Sequence, residues 1–175
     1  MQELLQRYPG ITPYYLTIAM GDVFTRPTAV STILGSCVAV TFFCPLLKLG
    51  ATFHALMPSW GSAEQPKGNL AYRFVDQSIL RILDTLTRMG VAKRALECKV
   101  FGGANVMFQG EVAVGRRNVE AALKTLASQG LRVLSTDVGG TQGRKLIFIT
   151  STGEVFVRRL GQTFATNRLC AARAG

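Results

Sequence analysis

Two apolar segments separated by a proline limit the possible folds of this chain more than any other part of the sequence. Residues 38–43 are rich in Val and Phe and have the character of a strand, and residues 50–57 return as a second strand. Pro45 lies between them and cannot occupy a central strand because it has no backbone N–H, while Pro58 ends the second segment. The sequence therefore predicts a β-hairpin whose turn contains Pro45.

The rest of the chain alternates between strand and helix patterns. Apolar residues recur at helical spacing through residues 70–89, with Asn69 as the predicted N-cap and Gly90 as the closing glycine, and again through 116–128. Many strands in hairpins beside two long helices argue against a doubly wound parallel sheet, so we expect an α+β fold. The other predicted strands are residues 14–20, 29–34, 95–101, 131–138, 145–150 and 154–160, with a turn at 22–27.

Length and composition fit one domain with a substantial core. The chain has 175 residues, of which 48% are hydrophobic, and no linker or repeat divides it. We expect a single domain over residues 1–175, with a core over about 14–162 and frayed termini. The longest apolar stretch, residues 37–47, is too short to span a bilayer, and the N-terminus has no signal-peptide core. We therefore expect a cytoplasmic protein that does not insert into a membrane.

Cysteine and histidine usage argues against a metal site. The four cysteines, at positions 37, 44, 98 and 170, form no CxxC pair, and the chain has one histidine. These are too few ligands, at unsuitable spacing, for a structural zinc ion. We expect neither a metal nor a cofactor.

The net charge of +10, with a pI near 10.0, restricts the possible partners. Nucleic acid, an anionic membrane surface and an acidic protein are all attracted to a basic chain. The basic residues are scattered, however, and no RNA-binding aromatic motif accompanies them, so we expect no nucleic-acid partner. A solvated basic surface and an acidic protein partner both fit the pattern.

Cys37 and His54 are the candidate catalytic pair. A cysteine nucleophile needs a base to remove its proton, and His54 is the only imidazole in the chain. If the predicted hairpin pairs Ala39 with His54, then Cys37 and His54 are diagonal neighbours on one face, with Cα atoms about 7–8 Å apart. A register shifted by one residue would put them on opposite faces. The alternative is a small buried cysteine and a structural histidine, which spacing alone does not exclude.

Gly35 and Ser36 precede the candidate nucleophile. Glycine lets the backbone turn tightly, and turned N–H groups near Ser36 and Cys37 could bind the oxyanion of a tetrahedral intermediate. The loops at 59–69 and 102–110 either line a substrate cleft or simply connect elements.

The segment LGSCVAV at residues 34–40, with His54 on the returning strand, closely resembles the CheD family of chemoreceptor glutamine deamidases. The resemblance implies a layered α+β sandwich of the cysteine-hydrolase type. It covers nearly the whole chain, because similar segments follow in the family's order: YRFVDQSI (72–79), FGGA (101–104), RRNV (116–119) and GGTQGR (139–144).

The resemblance also implies roles for three residues. The family uses a cysteine nucleophile, a histidine base and a threonine, which correspond here to Cys37, His54 and, six residues before the cysteine, Ser31. Serine keeps a hydroxyl that can orient the imidazole. The neighbouring Thr32 is the alternative third residue if the strand register differs.

The activity implied by the resemblance is hydrolysis of glutamine side chains to glutamate on bacterial chemoreceptors, through a Cys–His thioester mechanism. Some members also hydrolyse receptor methyl esters. The implied partners are the cytoplasmic helices of methyl-accepting chemotaxis proteins and a CheC-like phosphatase, and a basic chain suits receptor helices rich in Glu and Gln. The alternative is a non-catalytic regulatory module that binds such a phosphatase or a receptor and leaves Cys37 unused.

Overall fold

The computed structural model describes residues 2–62, 66–105, 114–161 and 170–171 of the chain. The helices are α1 (Gln2–Arg7), α2 (Val75–Arg88) and α3 (Val114–Ser128), with short 3-10 helices at Gly68–Arg73 and Lys93–Ala95. The strands are β1 (Thr12–Tyr15), β2 (Met20–Phe24), β3 (Thr28–Leu34), β4 (Val38–Cys44), β5 (Leu49–Ala55), β6 (Glu97–Gly102), β7 (Val133–Val138), β8 (Arg144–Ile149), β9 (Val155–Arg159) and β10 (Cys170–Ala171).

The strands form two sheets of five. The first sheet has the order β1-β3-β8-β9-β10, and the second has the order β2-β5-β4-β6-β7. The pairs β1–β3 and β6–β7 are parallel, and the others are antiparallel. This arrangement, with two long helices, confirms the predicted α+β fold of mainly antiparallel strands.

Apolar side chains hold the helices and sheets together in layers. A cluster that we call the inter-sheet core lies between the two sheets. Helices α2 and α3 pack on the outer face of the second sheet, and α1 packs on the outer face of the first. Alternate residues of a strand face different layers, which decides what each side chain can touch. The inter-sheet core consists of Leu16, Phe24, Val30, Leu34, Ala39, Phe101, Leu146, Phe148 and Val155.

Strands β4 and β5 form the predicted hairpin around Pro45. They are antiparallel from the pair Val38↔Ala55 to the pair Cys44↔Leu49. Within this ladder Ala39 is directly opposite His54, which is the register that the spacing of Cys37 and His54 requires.

Helix α2 begins later than predicted, and its first backbone N–H groups donate to another segment of the chain. Asn69 is not the N-cap; it lies in the first 3-10 helix, and the extended residue Phe74 (φ −111°) precedes α2. The N–H of Val75 donates to the carbonyl of Met57 at 2.8 Å. Gly90 follows the helix with φ +81°, as expected of a closing glycine.

The predicted opening strand at residues 14–20 is wrong, because this segment is split between β1 and β2 in different sheets. Much of the predicted turn at 22–27 belongs to β2. The chain enters the second sheet at Ala19, whose N–H donates to the carbonyl of His54 at 2.8 Å. Apolar alternation does not reveal this crossing because both strands are short.

Some expectations fall partly outside the described residues. These are the cleft-lining loops, at residues 63–65 and 106–110, and the frayed tail, at 162–169 and 172–175. Among the helices that the structure describes, none has both the length and the apolar character needed to cross a membrane. In the same ranges, no three His, Cys, Asp or Glu side chains form a cluster that could hold a metal ion.

Candidate active site

The hairpin register puts Cys37 and His54 on the same face of the second sheet. His54 is directly opposite Ala39, and directly paired residues project to the same face. Ala39 belongs to the inter-sheet core, and Cys37, two residues earlier, packs against that core. Cys37 and His54 are thus diagonal neighbours that face the first sheet, the relation for which Cα atoms lie about 7–8 Å apart.

Strand β3 of the first sheet presents Thr32, and not Ser31, to this space. Thr32 pairs with Leu146, a member of the inter-sheet core, whereas Ser31 pairs with Ile147 on the outer face beneath α1. Successive residues of a strand project to opposite faces. Thr32 therefore faces His54, and Ser31 faces away from it.

The hydrogen bonds of Thr32 determine the tautomer of His54. The Thr32 Oγ1 lies 2.8 Å from His54 Nδ1 and donates its proton to the carbonyl of Leu16 at 2.7 Å. A threonine hydroxyl has one proton to give, so at Nδ1 it must accept, and the Nδ1–H of His54 is the donor. The other ring nitrogen, Nε2, then carries the lone pair of a neutral imidazole.

The Nε2 atom of His54 is free to act as a base. It is buried, and no group in the described residues makes a hydrogen bond to it. A buried acceptor without a partner is uncommon in proteins, and an open position for a reacting group is one explanation for it. An imidazole that is oriented from the far side of its ring and open at Nε2 has the chemistry that a general base requires.

Ser31, the third residue implied by the family pattern, makes a different contact. Its hydroxyl donates to the carbonyl of Tyr14 at 3.4 Å, across the parallel pair β1–β3. The structure therefore joins His54 to Thr32, which was the alternative third residue, and places Cys37 on the same sheet face as His54. Counting six residues back from the cysteine reaches the wrong face of β3.

Burial keeps both members of the Cys37–His54 pair neutral at rest. It lowers the pKa of His54 to about 4, with the nearby Leu16 carbonyl acting in the opposite direction. Burial also raises the pKa of the half-buried Cys37 thiol above its usual value, partly offset by the residue's own backbone N–H. At neutral pH burial therefore favours the uncharged forms, a thiol at Cys37 and an imidazole at His54.

The backbone carbonyl groups of residues 35–37 accept hydrogen bonds from neighbouring segments, which leaves the N–H groups between them pointing the other way. Peptide bonds in the described chain are all trans, and in a trans peptide the N–H points away from the preceding C=O. The N–H groups of Ser36 and Cys37 therefore point away from the segments that hold the carbonyls. Each carbonyl accepts one hydrogen bond of 2.8 Å: Gly35 O from Ala104 N, Ser36 O from Asn118 Nδ2 and Cys37 O from Gly103 N.

The Gly102–Gly103 pair must lack side chains to make these contacts. A Cβ on Gly102 would lie 2.1 Å from the carbonyl oxygen of Cys37, and its φ of +106° already favours glycine. A Cβ on Gly103 would lie 2.3 Å from a methyl group of Val119. The glycines bring β6 against the candidate nucleophile, a role that the sequence pattern alone did not indicate.

Comparison with known protein families gives a match over more than half of the chain. The family described as CheD chemotactic sensory transduction matches residues 56–159. The matched part begins just after His54, so it bears on the scaffold rather than on the Cys37–His54 pair.

Individual relatives cover more of the chain. A protein of Geobacter sulfurreducens named probable chemoreceptor glutamine deamidase CheD 2 is 42% identical over 91% of this chain and 97% of its own length. A probable chemoreceptor glutamine deamidase CheD of Maridesulfovibrio salexigens is 41% identical, over 80% and 88%. The chemoreceptor glutamine deamidase CheD of Thermotoga maritima is 34% identical, over 82% and 91%.

The fold also resembles that of solved structures. A Neisseria meningitidis protein of the DUF152 family superposes with a TM-score of 0.50 and 12% sequence identity, over 80% of this chain and 69% of that one. At this identity the likeness concerns the arrangement of helices and sheets alone.

Proposed function

The chain belongs to the CheD family, and on that premise we propose that it is a single-domain chemoreceptor glutamine deamidase with Cys37 as nucleophile and His54 as base. The observation that carries the proposal is the imidazole of His54. Its Nδ1–H donates to Thr32, while its buried Nε2 has no hydrogen-bond partner in the described chain. The ring lies on the same sheet face as the half-buried thiol of Cys37.

In the first half of the proposed reaction, His54 Nε2 accepts the proton of the Cys37 thiol as sulfur attacks the side-chain carboxamide carbon of a receptor glutamine. A carbon–sulfur bond forms, and the carbonyl electrons move to oxygen. The N–H groups of Ser36 and Cys37 stabilise this oxyanion. The imidazolium then protonates the amide nitrogen, the carbon–nitrogen bond breaks, and ammonia leaves a thioester.

In the second half, His54 accepts a proton from water, and the hydroxide attacks the thioester carbon. The carbon–sulfur bond breaks, the imidazolium returns its proton to sulfur, and a glutamate side chain is released. Thr32 keeps Nδ1–H in place throughout, so that Nε2 is the atom that exchanges protons with sulfur, nitrogen and water. A receptor methyl ester enters the same sequence with methanol as the leaving group.

Charge and redox state support the proposed partner and location. The chain carries a net charge of +10, which favours approach to receptor helices rich in carboxylates. Cys37, Cys44 and Cys98 are free thiols, as expected in the reducing cytoplasm where receptor signalling domains lie.

The proposed activity is tested with a cytoplasmic fragment of a methyl-accepting chemoreceptor. We expect the protein to convert particular glutamines to glutamates, mapped by peptide mass spectrometry, and to release one ammonia for each new glutamate. A methyl-esterified fragment measures methanol release in parallel. If the fragment gains no more glutamate with the protein than in buffer alone, the proposed deamidation is wrong.

A pair of neighbouring substitutions tests the third residue. Thr32→Val removes the acceptor of His54 Nδ1–H with little change in shape, and we expect kcat to fall by about 10–100-fold. Ser31→Ala, one residue away on the outer face, is expected to leave kcat within about twofold. Steady-state deamidation kinetics distinguish the two, and a larger loss in Ser31→Ala would return the role to Ser31.

A further inference from the structure

Asn118 joins the two segments that carry the proposed catalytic pair. It is fully buried in α3, and its Nδ2 donates to the carbonyl of Ser36 at 2.8 Å and to the carbonyl of Leu56 at 3.1 Å. Ser36 immediately precedes Cys37, and Leu56 follows His54 by two residues. One amide group therefore holds both segments at a common point.

This contact occurs where the β4–β5 ladder ends. The last paired residues are Val38 and Ala55, so Cys37 and Leu56 would form the next pair. Cys37 directs its backbone groups toward β6 instead, where its carbonyl accepts from Gly103. The next hydrogen-bonded pair with β5 would therefore join Ser36 and Met57, but the N–H of Met57 donates to the carbonyl of Arg73 at 2.9 Å. The carbonyl of Ser36 accepts from Asn118 Nδ2 in its place.

We propose that Asn118 is a positioning residue that fixes Cys37 relative to His54, an inference that rests on the proposed deamidase function. A carboxamide can donate two hydrogen bonds from one nitrogen, so it can bridge two carbonyl groups that no single hydroxyl could serve equally well. With the bridge in place, the strand ends cannot separate, and the thiol stays within reach of Nε2.

Helix α3 packs close enough for the short side chain of Asn118 to reach both carbonyl groups. A Cβ on Gly115, one helical turn before Asn118, would lie 2.5 Å from the carbonyl oxygen of Gly103. The helix therefore lies directly against the glycine segment that contacts Cys37. A larger residue at position 115 would move the helix away and take the amide group of Asn118 with it.

The amide satisfies two backbone carbonyls while leaving one of its own atoms without a partner. The Oδ1 of Asn118 is buried without a hydrogen-bond partner in the part of the chain that the structure describes. A buried carbonyl oxygen in this state is unfavourable. An aliphatic side chain of the same shape would avoid it but would leave the carbonyls of Ser36 and Leu56 without their donor. What the amide adds is a pair of hydrogen bonds, one to the carbonyl of Ser36 and one to the carbonyl of Leu56.

The test compares Asn118→Leu, which keeps the shape and removes both donors, with Ser78→Ala. Ser78 is also fully buried on a helix and donates to a backbone carbonyl, that of Phe74 at 2.7 Å, but it lies on α2. We expect Asn118→Leu to lower kcat for the receptor fragment by about 10–100-fold with KM within about twofold. We expect Ser78→Ala to lower stability and leave kcat nearly unchanged.

A second readout follows the thiol itself. The alkylation rate of Cys37 by iodoacetamide is measured against pH, with and without His54→Ala. We expect His54→Ala to slow alkylation in the natural sequence and to have little further effect in Asn118→Leu, because the two side chains are no longer held together. Asn118→Ala serves in the same measurements if Asn118→Leu does not fold.

The outcomes separate the two proposals. If His54→Ala slows alkylation equally in both backgrounds, or if Ser78→Ala lowers kcat as much as Asn118→Leu, then the role of Asn118 is wrong while the deamidase proposal stands. If His54→Ala has no effect on Cys37 in the natural sequence, both proposals fail. If the natural protein does not deamidate receptors, the alkylation rates still report whether Asn118 couples Cys37 to His54.

Discussion

Cys37→Ala is expected to lower kcat for receptor deamidation by about 10⁴-fold or more, because it removes the atom that forms the thioester. Of the thiols that the structure describes, Cys37 is the only one that is not buried. The loss of activity is measured under single-turnover conditions, with mass spectrometry reporting the deamidation of the receptor fragment. Circular dichroism shows whether the variant keeps its fold.

The control for this substitution is Cys98→Ala. Cys98 is fully buried on the helix-facing side of the second sheet, and burial raises the pKa of its thiol to about 12. We expect some loss of stability from the small cavity and a kcat within about twofold of the natural protein. Deamidation that persisted in Cys37→Ala would show that Cys37 is not the nucleophile. A natural protein that bound a receptor or a CheC-like phosphatase without deamidating the receptor would instead favour the regulatory module.

Arg144→Met is expected to lower the free energy of unfolding by about 3 kcal/mol or more. The guanidinium of Arg144 is fully buried, and its Nη1 lies 2.8 Å from a carboxylate oxygen of Asp137. It also donates to the backbone carbonyls of Asp137 and Gly139. Methionine fills much of the space but leaves both carbonyls without their donor, and urea denaturation measures the change.

Arg159→Met provides a matched comparison at the same carboxylate. Arg159 bonds to the same oxygen of Asp137 at 2.7 Å, but its side chain is 36% exposed. Solvent screens this pair, so we expect a loss below about 1 kcal/mol. Equal losses in the two variants would mean that burial of Arg144 adds nothing to the shared ion pair.

The hairpin was predictable because local chemistry specifies it. Pro45 interrupts the apolar run, and pairing Ala39 with His54 puts Cys37 and His54 on one face of the sheet. Strand patterns beside two helical patterns were enough for the fold class. The opening segment was wrong because apolar alternation does not tell a chain that stays in one sheet from one that crosses to the next.

The third residue and the bridging amide depend on contacts distant in sequence. Ser31 and Thr32 are adjacent hydroxyl residues, and which of them faces His54 depends on how β3 pairs with β8 in the other sheet. Asn118 lies 82 positions from Ser36, so its contact follows from the packing of α3 rather than from any local motif. Such positions require the assembled layers before a role can be assigned.

The bond between Thr32 and His54 connects the two sheets, since the hydroxyl belongs to one and the imidazole to the other. Proton affinity at Nε2 is therefore sensitive to sliding of one sheet over the other, even if every atom near the thiol stays in place. Substitutions that enlarge or shrink the apolar filling between the sheets would alter this bond from within.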